Sequence, residues 1–204
     1  MAHPVLIETI TTMVTVSIHP YQPRKIALLF LGVLCLAVCP CFAQPVLLSV
    51  PSTPYDRQMT RIHPILASTD DTAKDSLSIA LVNHWIQNLR EIPYGFSPEW
   101  KTPQEVETAP MADCKGKAVA LYQKMQAHGA RNVRLVIGKR TPSSRKTHAW
   151  LEWTNDHGTY VLDPTINWTA YRTEEISSSD YRPLYAYSGS KKYRAVDENL
   201  VARN

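Results

Sequence analysis

The sequence predicts an α+β fold, one helix packed on an antiparallel sheet, and three observations carry that expectation. A helical apolar period runs through "DCKGKAVALYQKMQAHG", residues 113–129, between an N-capping aspartate and a terminating glycine. Three strand-like runs follow it in succession. The last two are separated by a short polar loop ending in Gly158, the form of a hairpin. A helix followed by consecutive short strands belongs to the α+β class.

Taken in chain order, the first element is a leader. Arg24 and Lys25 precede the apolar run "IALLFLGVLCLAVCPCFA", residues 26–43, which ends in small residues at Ala43. A short cationic segment, an apolar core and a small-residue end mark a secretory signal peptide cleaved after Ala43. The run falls short of the roughly 20 residues of a membrane span, and Pro40 interrupts it. The alternative is an uncleaved helix anchoring the rest outside the cytoplasm. Either way the chain is expected to work outside that compartment, in the periplasm or secreted. The predicted organisation is a signal peptide over residues 1–43, a linker or loosely docked arm over 44–72, and one domain over 73–204.

Residues 44–72 contain proline and serine without a clear period, hence the reading as an arm. A first helix is expected over residues 72–89, with Leu77, Leu81, His84, Trp85 and Leu89 at helical spacing. "EIPYGFSPEWKTPQEVETAP" then reads as a long ordered loop. Within it "TPQE", Thr102 to Glu105, has the form of a capping box with proline in the first turn, opening a short helix. The main helix starts near Asp113 and ends at Gly129, and Ala118, Leu121, Tyr122 and Met125 should face a core. Strands are expected over residues 132–138, 148–153 and 159–163. Val133, Leu135 and Ile137 alternate along the first of them.

Composition narrows the function. Beyond residue 43 the chain carries 20 of its 22 Lys+Arg and 17 of its 18 Asp+Glu, a mild surplus of three positive charges that gives no basis for nucleic-acid binding. Of the four cysteines, Cys35, Cys39 and Cys41 lie in the leader, so the exported part holds Cys114 alone. That excludes an internal disulfide and a cysteine-rich zinc site. A lone thiol in an oxidising compartment is inert and buried, an intermolecular bridge, or a reactive group.

Its position favours the third reading. Cys114 sits in the first turn of the main helix, where free N–H groups and the macrodipole favour a thiolate. The same N–H groups can donate to the oxyanion formed when sulfur attacks a carbonyl. Such a nucleophile needs a base, and the base an orienting acid. "HAWLEWTNDHGTYVLDPT" offers both: with "TNDH", residues 154–157, as the loop, Trp153 pairs with Thr159 or Gly158, and taking Gly158 His148 falls opposite Asp163. Opposed residues share a face, with Cβ atoms about 4.5–5.5 Å apart. Each residue also has a plainer reading. Cys114 suits core packing, His148 an outward strand position, and Asp163 a turn in which its carboxylate accepts local N–H groups.

The set "ADCKGKAVALYQKMQAHGARNVRLVIG", "THAWLEW" and "YVLDPT", with "WKTPQE" upstream and "YRPLYAYSG" downstream, resembles the bacterial transglutaminase-like cysteine proteinases. The resemblance spans residues 77–189. It implies a papain/transglutaminase-like core with Cys114 as nucleophile, His148 as general acid/base and Asp163 as orienting acid. It also implies a protein or peptide substrate, and a side-chain oxyanion donor in the loop before the cysteine, for which Trp100, Gln104 and Tyr94 are the candidates. Trp150, two residues beyond His148 on the same strand face, is expected to shield the His–Asp contact from water. Adhesin-releasing members of that family carry acidic residues just after the cysteine that help to bind calcium. Here Lys115, Gly116 and Lys117 stand there, so no cofactor is expected and a calcium requirement is doubtful. The two lysines would instead favour the thiolate, or simply form a solvated helix end.

The expected activity is hydrolysis of a peptide bond through a thioester on Cys114. Two alternatives stay open: transfer of the acyl group to an amine, as a transglutaminase does, and a non-catalytic protein-binding module on the same fold.

Overall fold

The structure, a computed structural model, describes residues 45–68 and 77–196. The leader and the outset of the expected first helix lie outside the described residues. In chain order the elements are β1 (Val46–Ser49), α1 (His63–Ala67), α2 (Ile79–Glu91), α3 (Pro103–Thr108), α4 (Cys114–Ala127), β2 (Val133–Lys139), β3 (His148–Asn155), β4 (Gly158–Leu162), β5 (Tyr171–Arg172), β6 (Arg182–Ser188) and β7 (Lys191–Val196). The strands form one seven-stranded sheet in the order β1-β7-β6-β2-β3-β4-β5, and every neighbouring pair is antiparallel. The fold is α+β, as its run of helix then strands predicted.

α4 lies over the middle of this sheet. Asp113 caps it, its carboxylate accepting the Gly116 N–H at 3.0 Å, and Gly129 closes it in the left-handed region at φ 80°. Burial departs from the expected single stripe. Nine of the 14 residues of α4 are buried, among them Lys117, Val119 and Ala120 beside the predicted Ala118, Leu121, Tyr122 and Met125. A helix that is apolar all round is one packed on every side. Here α1, α2 and α3 cover the side that the sheet does not.

Part of that cover, α1, comes from residues 45–68, the described part of the segment 44–72 expected to be a linker or loosely docked arm. That expectation is corrected by the packing. β1 pairs with β7, and Met59, Ile62 and Leu66 are buried in the main core. Side chains fasten the segment as well: Thr53 Oγ1 lies 2.6 Å from Tyr187 Oη, and Lys192 pairs with Asp56 at 2.7 Å. No sequence period shows because a strand of four residues and a helix of five are too short to display one.

α2 begins at Ile79, behind the Ser78 cap. Its buried stripe is Val82, Trp85, Ile86 and Leu89; Leu81 and His84 face outward. The capping box opens α3 as predicted, with Thr102 and Glu105 satisfying each other's backbone N–H groups.

The hairpin register differs from the expected one by two residues. Asn155 pairs with Gly158 and Trp153 with Tyr160, so the turn is Asp156–His157 rather than a four-residue loop. The Asn155 side chain accepts the His157 N–H at 2.8 Å, and Gly158 takes φ 126°, a left-handed value that a residue with a side chain rarely adopts. Since the shift is even, every side chain keeps its face. His148 and Asp163 become diagonal rather than direct neighbours, still within reach of an imidazole.

Candidate active site

Three elements meet at Cys114: the N-terminus of α4, the first residue of β3 and the turn that follows β4. Cys114 is the first residue of α4, buried with 8% of its surface exposed, so its own N–H has no acceptor within the helix. His148 opens β3. Its Nε2 lies 2.7 Å from Asp163 Oδ2, and the Cys114 thiol is close enough to act on the same imidazole. Burial by itself would depress the imidazole pKa. The hydrogen bonds and charges of Asp163 and Cys114 outweigh it, raising His148 from its ordinary 6.5 to about 9.

Asp163 is wholly buried and accepts four donors. Oδ1 takes the backbone N–H groups of Thr165 and Ile166 at 3.0 and 3.3 Å; Oδ2 takes His148 and the Tyr181 hydroxyl, the latter at 3.0 Å. The two sequence readings of this residue, turn-former and partner of His148, are both realised, one on each oxygen.

Tyr181 was not among the expected site residues. It stands in the left-handed region at φ 51°, unusual for a bulky side chain. The ring makes an edge contact with Trp150 at 5.3 Å, the Arg140 guanidinium lies over it at 5.1 Å, and its backbone N–H donates to Arg140 O at 2.9 Å. Trp150 is completely buried and stacks with His148, ring centroids 6.2 Å apart. Imidazole, indole and phenol thus line one face of the sheet beside the buried carboxylate.

The loop candidates separate. Tyr94 is the one that feels Cys114: partial desolvation of its hydroxyl, then the charges of Cys114 and Asp113, raise its phenol pKa. Trp100 is 1% exposed in the core cluster that contains Cys114, and its Nε1 has no partner among the described residues. Gln104 is exposed on α3, and no side-chain hydrogen bond joins it to Cys114 among the described residues.

Neither lysine after the cysteine is a free charge or a solvated end. Lys115 is ion-paired with Asp113 and donates to Ser97 O at 2.8 Å. Lys117 is 1% exposed, and its ammonium donates to Ile92 O at 2.5 Å and Arg90 O at 3.4 Å, capping the C-terminus of α2. Burial and the Arg90 charge lower its pKa. Both lysines therefore tie residues 90–97 to the N-terminus of α4.

The same contacts bear on calcium, which binds six to eight oxygens, mostly from carboxylates and carbonyls. Among the described residues there is no cluster of three or more His, Cys, Asp or Glu able to hold a metal. The Asp113 carboxylate is committed to the Gly116 N–H, the Ser97 N–H at 3.2 Å and Lys115.

No protein-family model matches the sequence, and no curated protein is similar to it. Solved structures do match. Calcium-bound LapG of Legionella pneumophila superposes with a TM-score of 0.51 and 15% identity, over 73% of this chain and 86% of that one. EGTA-treated LapG gives 0.50 and 15%, over 74% and 87%. At such identity the likeness is one of fold, and across most of both chains this protein has a LapG-like fold.

Proposed function

We propose that the protein is an exported cysteine peptidase with Cys114 as nucleophile, His148 as general acid/base and Asp163 as the acid that orients His148. The observation that carries this reading is the His148 imidazole hydrogen-bonded to a saturated, buried carboxylate and raised in pKa in part by the thiol at a helix N-terminus. Cys114 Sγ adds to the carbonyl of a peptide bond. The oxyanion is met by the Cys114 backbone N–H and the Tyr94 hydroxyl. The His148 imidazolium passes its proton to the departing nitrogen as the C–N bond breaks, leaving a thioester. Neutral His148 then takes a proton from water, whose oxygen attacks the thioester. The new acid leaves, and the thiolate–imidazolium pair is restored.

Asp163 keeps the proton of the neutral imidazole on Nε2 and presents Nδ1 to sulfur; because the Thr165 and Ile166 N–H groups hold Oδ1, an asparagine here would turn its amide donor toward the imidazole and oppose that tautomer. The reading dispenses with calcium, because Lys115 supplies the positive charge beside Asp113.

The test is the rate of Cys114 alkylation by iodoacetamide between about pH 4 and 9, in wild type and His148→Ala. A free thiol titrates near 8.5. Rapid alkylation well below that pH, lost in His148→Ala, is expected, together with cleavage of a denatured protein that Cys114→Ser abolishes and EGTA does not touch. Slow alkylation following an ordinary thiol titration in both proteins would return the protein to the binding-module reading.

A further inference from the structure

Beside the nucleophile the surface carries an aromatic shelf under a basic loop. Tyr94 and Phe96 are 59% and 72% exposed, unusually open for such side chains, and Met111 is 47% exposed. Gly95 lets Met111 lie between them: a Cβ there would sit 2.1 Å from Met111 Sδ. The shelf is fixed from below, since Ala112 N–H donates to Pro93 O at 3.0 Å and Gly95 N–H to Ala112 O at 3.3 Å. Phe96 bridges the two halves of the site. The ammonium of Lys115, adjacent to Cys114, lies 4.9 Å from its ring centroid, and that of Lys146, two residues before His148, lies 5.9 Å away on its loop.

The charges around this shelf are unbalanced. The β2–β3 connection "KRTPSSRKT" holds Lys139, Arg140, Arg145 and Lys146 and no acidic residue. Arg140 is paired with Asp180, and Lys115 with Asp113. Lys139, Arg145 and Lys146 have no acidic partner among the described residues; Lys139 instead donates to Arg145 O at 2.9 Å, which draws these cations into one short loop. An aromatic ring with a cation on its face remains an apolar platform, while the cation stays available to an incoming anion.

We propose that the site takes acidic polypeptide segments, an apolar side chain resting on the Tyr94–Phe96 shelf and a neighbouring carboxylate meeting Lys146 and Arg145. The inference rests on the peptidase reading for its consequence, but binding tests it apart from catalysis. The probe is a pair of fluorescein-labelled peptides that share one Leu-containing sequence, one with two glutamates beside the leucine and the other with two glutamines. Both are titrated by fluorescence anisotropy against Cys114→Ala protein.

The acidic peptide is expected to bind about tenfold more tightly at low salt, since each exposed ion pair adds a few-fold at most. That gap closes near 0.5 M salt, where the Debye length is only a few ångströms. Adding Arg145→Glu and Lys146→Glu abolishes or inverts the preference, with Lys146→Gln as a milder check, and Phe96→Ala weakens both peptides alike. Equal affinity for the twins, or a preference that survives the double reversal, overturns the inference. If the preference holds but wild type cleaves neither peptide and alkylates slowly, the peptidase reading fails instead, and the shelf is the docking site of a binding module.

Discussion

Two aspartates bracket the site, and the contrast between them separates structure from control. Asp113 and Asp163 are both fully buried, and each carboxylate has its lone pairs taken up by donors. The partners of Asp113 are two backbone amides and a lysine, with no imidazole among them. Asp163 has equally fixed partners on Oδ1, but one partner on Oδ2 is an imidazole that gains and loses a proton. Equal burial therefore gives unequal roles: Asp113 anchors the helix end and the loop beside it, whereas Asp163 sets the state of His148.

The sharpest way to break that contrast is to make the same substitution at both. Asp163→Asn should lower kcat/KM by about 10³–10⁴, the order seen when an orienting carboxylate is made an amide. Asp113→Asn should cost no more than about tenfold in rate. It should instead lower stability by roughly 1–3 kcal/mol, as its amide meets the Ser97 N–H and the Lys115 ammonium. Thermal melts and steady-state kinetics on both variants decide the matter. Similar activity losses would show that Asp163 is only another anchor.

Which of these partners could be read in the sequence follows from how far away they lie. The Asp113 cap, the Gly129 terminus and the Thr102–Glu105 capping box are visible because each is closed by a residue within one turn. Lys117 looks like a solvated residue of the first turn because the carbonyls it meets, of Arg90 and Ile92, belong to another helix. The hairpin register was missed because a side-chain hydrogen bond of Asn155, not the apolar pattern, sets the turn length. His148 and Asp163 still emerged as a pair, since an even shift preserves the face. Tyr181 gave no signal. Its place beside Asp163 comes from β6 pairing with β2, contacts some 45 residues apart in the chain, and its left-handed backbone is a form no propensity assigns to tyrosine.

Tyr181 also allows a gentler perturbation of the same contrast. Tyr181→Phe removes one donor from Asp163 Oδ2 and keeps the ring between Trp150 and Arg140. A fall of about tenfold in kcat/KM is expected, the order of one hydrogen bond to a charged group. The Oδ2 charge is then left to His148 alone, so the alkaline limb of the pH–rate profile should move upward. A purely structural role for Tyr181 would lower the rate evenly at all pH values and leave the limb in place.

The smallest effect, and the most direct reading of the difference between the two aspartates, lies in the pH dependence of stability. His148 has a folded-state pKa of about 9 against an ordinary 6.5. A raised folded pKa means that the native state holds the proton more tightly, so the stabilisation is complete below about pH 6.5 and disappears as pH rises through 9. Wild type should accordingly lose stability relative to His148→Gln across that window, measured as urea unfolding free energies at pH 6, 7.5 and 9.5. Cys114 is one of the groups that raises the imidazole, so in Cys114→Ala the loss should end at a lower pH. Asp113→Asn should leave the window where it is, because Asp113 is not among the groups that raise His148. If instead the window is absent in wild type, or moves with Asp113, the proton is not held between Cys114 and Asp163, and the distinction between anchor and control loses its physical basis.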